Sequence, residues 1–206
     1  MIEVEIIGKL PEDKFNEMKI FLQKNGNFIK EKERISFMYF RNFIPKDIKE
    51  IKDEEIDLKI RITNDKPEIV IKKGIFGSLN TRKEVSIFFE KEEIQKYIDF
   101  LSILGWSLGV IYTTNSHIYE YENIEFSLVK IGGYGYNFEV EILCDKKDVN
   151  KAKEKIEKML KKLNLNKMSE EDLNKQCNII NNRKELQFNF NSESYKDVMK
   201  RVKDII

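Results

Sequence analysis

Glu3 and Glu5 in the opening stretch MIEVEIIGK, and Glu139 and Glu141 in YNFEVEIL, form two pairs of carboxylates spaced two residues apart. In an extended strand that spacing puts both members of a pair on one face. The opposite face carries Ile2, Val4 and Ile6 in the first case and Phe138, Val140 and Ile142 in the second. Cations follow the same period. Lys59 and Arg61 share a face in DLKIRI, Lys72 lies on the face of Glu68 and Val70 in EIVIKK, and Arg82, Glu84 and Ser86 share a face in TRKEVSIFF. Lys9 has the parity of Glu3 and Glu5. Carboxylates are hard oxygen ligands for Mg²⁺ or Mn²⁺, and Lys and Arg neutralise and orient phosphoryl oxygens. Parity leaves two arrangements open. One side of a sheet could face water, laced with weak ion pairs. Alternatively, the sheet could curl with its charges inside, where a divalent cation and a polyphosphate would satisfy them.

The elements that must position these residues are legible from periodicity. Residues 11–25 place Phe15, Met18, Ile20, Phe21 and Leu22 at helical spacing, with Pro11 in the first turn and Gly26 as the cap. Strand-like runs follow at 28–42, 57–62, 68–73 and 82–90, with turns at Asn64–Pro67 and Gly74–Asn80 and a polar loop or short helical turn at 44–55. A helix over 91–105 ends at Gly105. Three more strands, LGVIYTTNSHIY, NIEFSLVKI and YNFEVEIL, precede an amphipathic helix over 146–163. Short hairpin-like links favour antiparallel pairing. The expectation is an α+β domain over 1–163, with about eight antiparallel strands closing into a barrel. Residues 164–206 read as a mostly helical extension: a helix start at Ser169, a loop at Asn178–Asn182, a short strand LQFNF and a final helix SYKDVMKRVKDII.

Composition narrows the classes. With 37 Lys+Arg against 36 Asp+Glu in 206 residues, the net charge of +1 gives no bulk reason to expect nucleic acid or membrane as a partner. No apolar run approaches the roughly 18 residues that span a bilayer, and MIEVEI lacks the basic start and apolar block of a signal peptide. The expected location is the cytoplasm. Cys144, Cys177 and the single His117 are too few for a disulfide framework or a structural zinc site. Gly132-Gly133-Tyr134-Gly135 lacks the Gly-Lys-Ser/Thr of a phosphate-binding P-loop and reads as a hairpin turn. His117, Trp106 and the two thiols read as structural or surface residues.

Taken in order, the motifs resemble the CYTH family, or triphosphate tunnel metalloenzymes, which includes thiamine triphosphatases, tripolyphosphatases and class IV adenylate cyclases. Glu3-Val4-Glu5 matches the acids of the family's ExExK, and Leu58-Lys59-Ile60-Arg61 its L-R-x-R strand. Ile69-Val70-Ile71-Lys72 matches the strand ending in Lys, Arg82-Lys83-Glu84 the R-x-E strand, and Gly135 to Glu141 the G-x-F-x-E-I-E strand. The resemblance implies an antiparallel tunnel in which Glu3, Glu5, Glu139 and Glu141 hold Mg²⁺ or Mn²⁺. Lys59, Arg61, Lys72 and Arg82 would hold a triphosphate, with Lys9 assisting and Glu84 orienting a basic neighbour. Metal-activated water would then attack a terminal phosphoryl group, with Glu5, Glu139 and Glu141 as catalytic residues. A homodimer is a further expectation. Ile7 stands where the family has Lys, with Lys9 roughly 7 Å further along the strand. Lys59 replaces an Arg, Thr114 and Ser116 replace a basic K-x-R pair, and Ser127 replaces an acid for which Glu125 could substitute. These departures keep open a relative that binds a nucleotide or polyphosphate without turning it over. A cyclase is a further alternative.

Overall fold

The computed structural model describes residues 1–47, 49–50, 56–75 and 79–203. Nine strands and five α-helices are assigned among them, beginning with β1 (Ile2–Leu10), α1 (Glu12–Asn25), β2 (Asn27–Phe40), β3 (Ile56–Thr63), β4 (Lys66–Ile75) and β5 (Leu79–Phe88). A 3₁₀ turn over Lys91–Glu93 leads into α2 (Ile94–Ile103), followed by β6 (Leu108–Glu120), β7 (Glu125–Ile131) and β8 (Gly135–Cys144). A second 3₁₀ turn precedes α3 (Val149–Lys162), and the chain ends with α4 (Glu170–Asn181), β9 (Gln187–Asn189) and α5 (Tyr195–Val202).

Strands β1 to β8 close into an antiparallel barrel. The order runs β2-β3-β4-β5-β1-β8-β7-β6, and β6 pairs back onto β2 from Asn27↔Glu120 to Phe40↔Leu108. Turn chemistry fixes the register. Asn64 and Asp65 take φ of 47° and 65° between β3 and β4, and Glu122 and Asn123 take 52° and 56° between β6 and β7. Asn and Asp tolerate this left-handed region best among non-glycine residues, and the resulting turn matches the twist of a hairpin. The Asn64 side chain also accepts from Glu33 N–H at 2.8 Å and donates to the Glu31 carbonyl at 3.0 Å, pinning the turn to β2.

The apolar faces of the strands point outward. Against β1, β7 and β8, the residues Val4, Ile6, Phe126, Leu128, Phe138 and Val140 pack on Phe15, Met18 and Leu22 of α1 and on Ile156, Met159 and Leu160 of α3. A second cluster joins Phe37, Leu58, Ile60 and Ile111 to Ile98 and Leu101 of α2, Phe188 of β9, and Val198 and Val202 of α5. Gly8 is required in the first layer, because a Cβ there would overlap the Phe138 ring. Helix α2 ends where the sequence indicates, with Gly105 at φ +87° and its N–H donating to the Ser102 carbonyl at 2.9 Å.

Some boundaries differ from those read in the sequence. Pro11 precedes α1 as its cap residue, and Gly26 is extended (φ −112°), not left-handed. Gly26 is nonetheless tight, since a Cβ there would come within 2.9 Å of the Glu120 carbonyl. Asn178–Asn181 continue α4 where a loop was expected; the helix keeps a regular bond from Asn182 N–H to the Asn178 carbonyl at 3.0 Å. Strand β9 forms and pairs with β6 at Leu108–Val110, beyond the end of β7. Residues 48, 51–55, 76–78 and 204–206, which carry much of the expected loop at 44–55, the middle of the Gly74–Asn80 turn and the end of the last helix, lie outside the described residues. Among the described residues no helix is long and apolar enough to cross a membrane.

Folding energy in this arrangement resides in the outer layers. Phe138→Ala, which empties a fully buried ring site, is expected to cost about 3–5 kcal/mol. Urea unfolding followed by circular dichroism measures it, and a loss below about 1 kcal/mol would contradict the packing described.

Candidate functional site

The barrel encloses a cavity of about 710 Å³. Helix α4 closes one end with Leu173, Gln176, Cys177 and Ile180 on the cavity wall. It is tied down on several sides. Asn137 Nδ2 donates to Gln176 Oε1 at 3.1 Å, Asn181 Nδ2 to the Pro45 carbonyl at 2.8 Å, and Met168 N–H to the Ile7 carbonyl at 2.8 Å. The exposed residues Lys30, Asn64, Lys66 and Phe88 line the other end.

One wall is acidic. Glu5 of β1 stands directly across from Glu141 of β8, which in turn faces Glu125 of β7. Glu3, Glu5 and Glu141 each bring a carboxylate oxygen within 4.8 Å of the other two. Glu139 sits one step further into the tunnel, level with Ile7 and Ser127. Among the described residues neither Glu139 nor Glu141 has a hydrogen bond or an ion pair. Burial, followed by repulsion from Glu125, Glu3 and Glu5, pushes the Glu141 carboxyl up to about 8. Burial and then Glu5 also push Glu139 well above the carboxylate range.

The adjoining wall, formed by β3, β4 and β5, is basic and partly compensated. Lys72 Nζ donates to Glu3 Oε1 at 2.8 Å and lies 2.7 Å from Glu84 Oε2. Burial opposes the Lys72 charge, but Glu5 and Glu3 outweigh it and hold its pKa above the usual lysine range. Arg82 reaches Asp57 Oδ2 at 3.0 Å and Glu5 Oε2 at 3.5 Å, and Lys59 donates to Asp57 Oδ2 at 2.8 Å. Burial alone would raise the Asp57 carboxyl; Lys59 and Arg82 override it and hold it at about 2. Arg61 lies 3.7 Å from Glu84, while its buried Nε has no partner among the described residues.

The structure therefore gathers Glu3, Glu5, Glu139, Glu141, Lys59, Arg61, Lys72, Arg82 and Glu84 around one cavity. Lys9 is not among them. It is exposed past the end of the cavity wall, with its ammonium 5.5 Å from the Tyr134 ring centre. The two-residue displacement along β1 carries it beyond the lumen. His117 faces outward, its Nε2 2.9 Å from Lys19 Nζ, and Trp106 is buried. Cys177 lines the cavity, and burial pushes its thiol up to about 11, which leaves it inert.

Sequence reading missed three charged cavity residues on β2, namely Lys30, Lys32 and Arg34, and also Asp57 and Glu68. The signal was present in FIKEKERISF, where Lys30, Lys32 and Arg34 share the parity of Ser36, opposite Ile35 and Phe37. Glu31 and Glu33 charge the other face of the same stretch, so alternation in polarity gave no inward direction there.

No family model matches the chain, and no curated protein matches its sequence. Solved structures match its fold. The PH1819 protein of Pyrococcus horikoshii OT3 is 24% identical with a TM-score of 0.66, over 84% of this chain and 98% of its own. A candidate adenylate cyclase from Vibrio parahaemolyticus is 14% identical with a TM-score of 0.61, over 97% and 98%. HpAC1 from Hippeastrum, described as a candidate adenylyl cyclase with a dominant triphosphatase activity, is 13% identical with a TM-score of 0.51, over 97% and 94%. At these identities the likeness is one of fold: the chain shares with these structures an α+β fold built on a closed eight-stranded antiparallel barrel.

The raised carboxyls fix a pH dependence. A carboxyl whose folded pKa lies above its unfolded value binds more protons folded than unfolded between the two, so stability falls as pH rises through that window. For Glu141 the window runs from the ordinary 4.5 to about 8. The metal-free protein is expected to lose melting temperature across it, and Glu141→Gln to flatten the slope. Thermal melts at stepped pH in EDTA check this; identical slopes for the two proteins would contradict the assignment.

Proposed function

We propose that this tunnel binds a triphosphate (tripolyphosphate, a nucleoside triphosphate or thiamine triphosphate) together with Mg²⁺ or Mn²⁺, and hydrolyses its terminal phosphoanhydride bond. The observation that carries the reading is the division of charge. Glu139 and Glu141 lie in a cavity with no cation paired to them among the described residues, while Arg61, Lys72 and Arg82 reach in from the neighbouring strands β3, β4 and β5. Buried charge of this kind is costly unless a ligand completes it. A hard divalent cation with a polyanion does so on both walls at once.

Glu3, Glu5 and Glu141 would hold the metal, since three carboxylates within reach of one another suit a hard oxygen-seeking ion. Glu139 would stand beside them as a further ligand or as the proton acceptor. Bound there, the cation would neutralise phosphoryl oxygens and lower the pKa of water. Lys59, Arg61, Lys72 and Arg82 bind the phosphate chain, and Glu84 orients Lys72 and Arg61 through its two oxygens. Water attacks the terminal phosphorus, the bridging P–O bond breaks, and diphosphate leaves. Glu139, whose burial raises its proton affinity, takes the proton lost by the water.

A second reading, binding without turnover, is favoured by the uncharged side chains of Thr114, Ser116 and Ile7 on the cavity wall. Phosphate release from tripolyphosphate, ATP and thiamine triphosphate, with and without each metal, separates the two readings; assaying ATP also for cyclic nucleotide tests the cyclase alternative. Metal-dependent release is expected, falling roughly a hundredfold or more in Glu5→Gln and in Glu139→Gln/Glu141→Gln. Saturable tripolyphosphate binding with no release would establish the second reading instead. Unchanged turnover in either variant would contradict the assigned roles.

A further inference from the structure

The eight-strand ring places β2 diametrically across from β1, with three strands between them on either side. Lys32 and Arg34 therefore face the lumen from the strand opposite Glu3 and Glu5. Their place in the register is specific. Lys32 is the cross-strand partner of Ser116, and Arg34 the partner of Thr114. Those are the two β6 positions where the tunnel motif would carry a K-x-R pair. Here Lys32-Glu33-Arg34 supplies the same two cation types one strand over. Adjacent strands lie about 4.8 Å apart, a displacement that a Lys or Arg side chain can span.

Neither cation has a close ion-pair partner among the described residues; Glu125 and Glu141 act on Lys32, and Glu139 and Glu68 on Arg34, only at longer range. Among the described residues no carboxylate oxygen lies within 4 Å of the Lys32 ammonium or the Arg34 guanidinium. Their acidic neighbours in sequence point the other way: Glu33 is exposed, and Glu31 lies 3.7 Å from His117 on the outer wall. Arg34 Nε donates to Thr63 Oγ1 at 2.8 Å, which fixes the plane of the fork. Its two terminal nitrogens make no hydrogen bond among the described residues. Burial and then repulsion from Arg34 lower the proton affinity of Lys32 against the pull of Glu125 and Glu141, and burial with repulsion from Arg61 lowers that of Arg34 against the pull of Glu139 and Glu68. Two half-buried cations side by side on the cavity wall, with no carboxylate in contact with either among the described residues, are an incomplete anion site.

We propose that Lys32 and Arg34 form an oxyanion subsite that binds phosphoryl oxygens across the tunnel from the acidic wall, replacing the basic pair missing from β6. The proposal rests on the reading of the tunnel as a triphosphate site, and it removes the main ground for treating the chain as a non-hydrolysing relative. The pair would grip one end of the polyphosphate while Lys72 and Arg82 hold the portion nearer the acids. Arg34 offers a bidentate fork and Lys32 a point charge.

The test is calorimetric titration of the full-length chain with tripolyphosphate in EDTA, where metal-dependent turnover cannot interfere. Three proteins are compared: the wild type, Lys32→Ala/Arg34→Ala, and a swapped variant carrying Lys32→Ser, Arg34→Thr, Thr114→Arg and Ser116→Lys. The double alanine variant is expected to bind about tenfold or more weakly. Its melting temperature should stay equal or rise, because like-charge repulsion is relieved, so a folding failure would be visible. The swapped variant, with its cations returned to β6, is expected to recover most of the affinity. Equal binding by wild type and double variant would overturn the proposal, as would absence of wild-type binding or a loss that the swap does not restore. Binding that depends on Lys32 and Arg34, found alongside no metal-dependent phosphate release, would sink hydrolysis while leaving the subsite standing.

Discussion

A charge taken out of water must find an opposite charge or a hydrogen-bonding shell, and the barrel interior is organised around that requirement. Eight strands enclose just enough space for side chains, and in most small barrels apolar groups fill it. Here the alternation is inverted. Every barrel strand bar β5 sends apolar residues into the buried outer layers, while carboxylates, ammonium groups and guanidinium groups are prominent on the inside. Helices α1, α2, α3 and α5 are needed because the outward faces would otherwise meet water. Stability and site are thus carried by opposite faces of the same strands. A change to an inward residue can alter binding while the outer packing stays intact.

Within the lumen the chain settles only part of its own electrostatics. Asp57 is shared by Lys59 and Arg82, and Lys72 is shared by Glu3 and Glu84, so each of these charges has a fixed partner. Glu139 and Glu141 on one wall, and Lys32 and Arg34 on the other, are left without such partners among the described residues. The surplus is of opposite sign on opposite sides. A single neutral ligand would not satisfy both, whereas a metal–polyanion pair would. Helix α4 adds direction: it lines one end of the tunnel, and the exposed Lys30 and Lys66 stand at the other.

Much of this was legible in the sequence wherever one face of a strand was plainly apolar. Val4 and Ile6 mark the face opposite Glu3 and Glu5, and Phe138 and Val140 the face opposite Glu139 and Glu141, so parity grouped the charges, while whether they met water or a lumen was left open by parity and implied only by the family resemblance. It failed on β2, because KEKER charges both faces and only Phe37 and Tyr39, further along, set the direction. It failed for Lys9 for a different reason: parity gives the face of a strand but not the point at which the lumen ends. The closing of one tunnel mouth by α4 was also out of reach. It depends on long-range bonds from Asn137 to Gln176 and from Asn181 to the Pro45 carbonyl that no local pattern encodes.

The proposed function requires the acidic wall to hold a divalent metal and the basic strands beside it to hold a polyanion. Anomalous diffraction from crystals grown with Mn²⁺ and tripolyphosphate tests it most directly. One strong manganese peak is expected within bonding distance of Glu3, Glu5 and Glu141, with phosphate density running toward Arg61, Lys72 and Arg82. A lumen free of manganese, or manganese bound only at outer carboxylates, would contradict it.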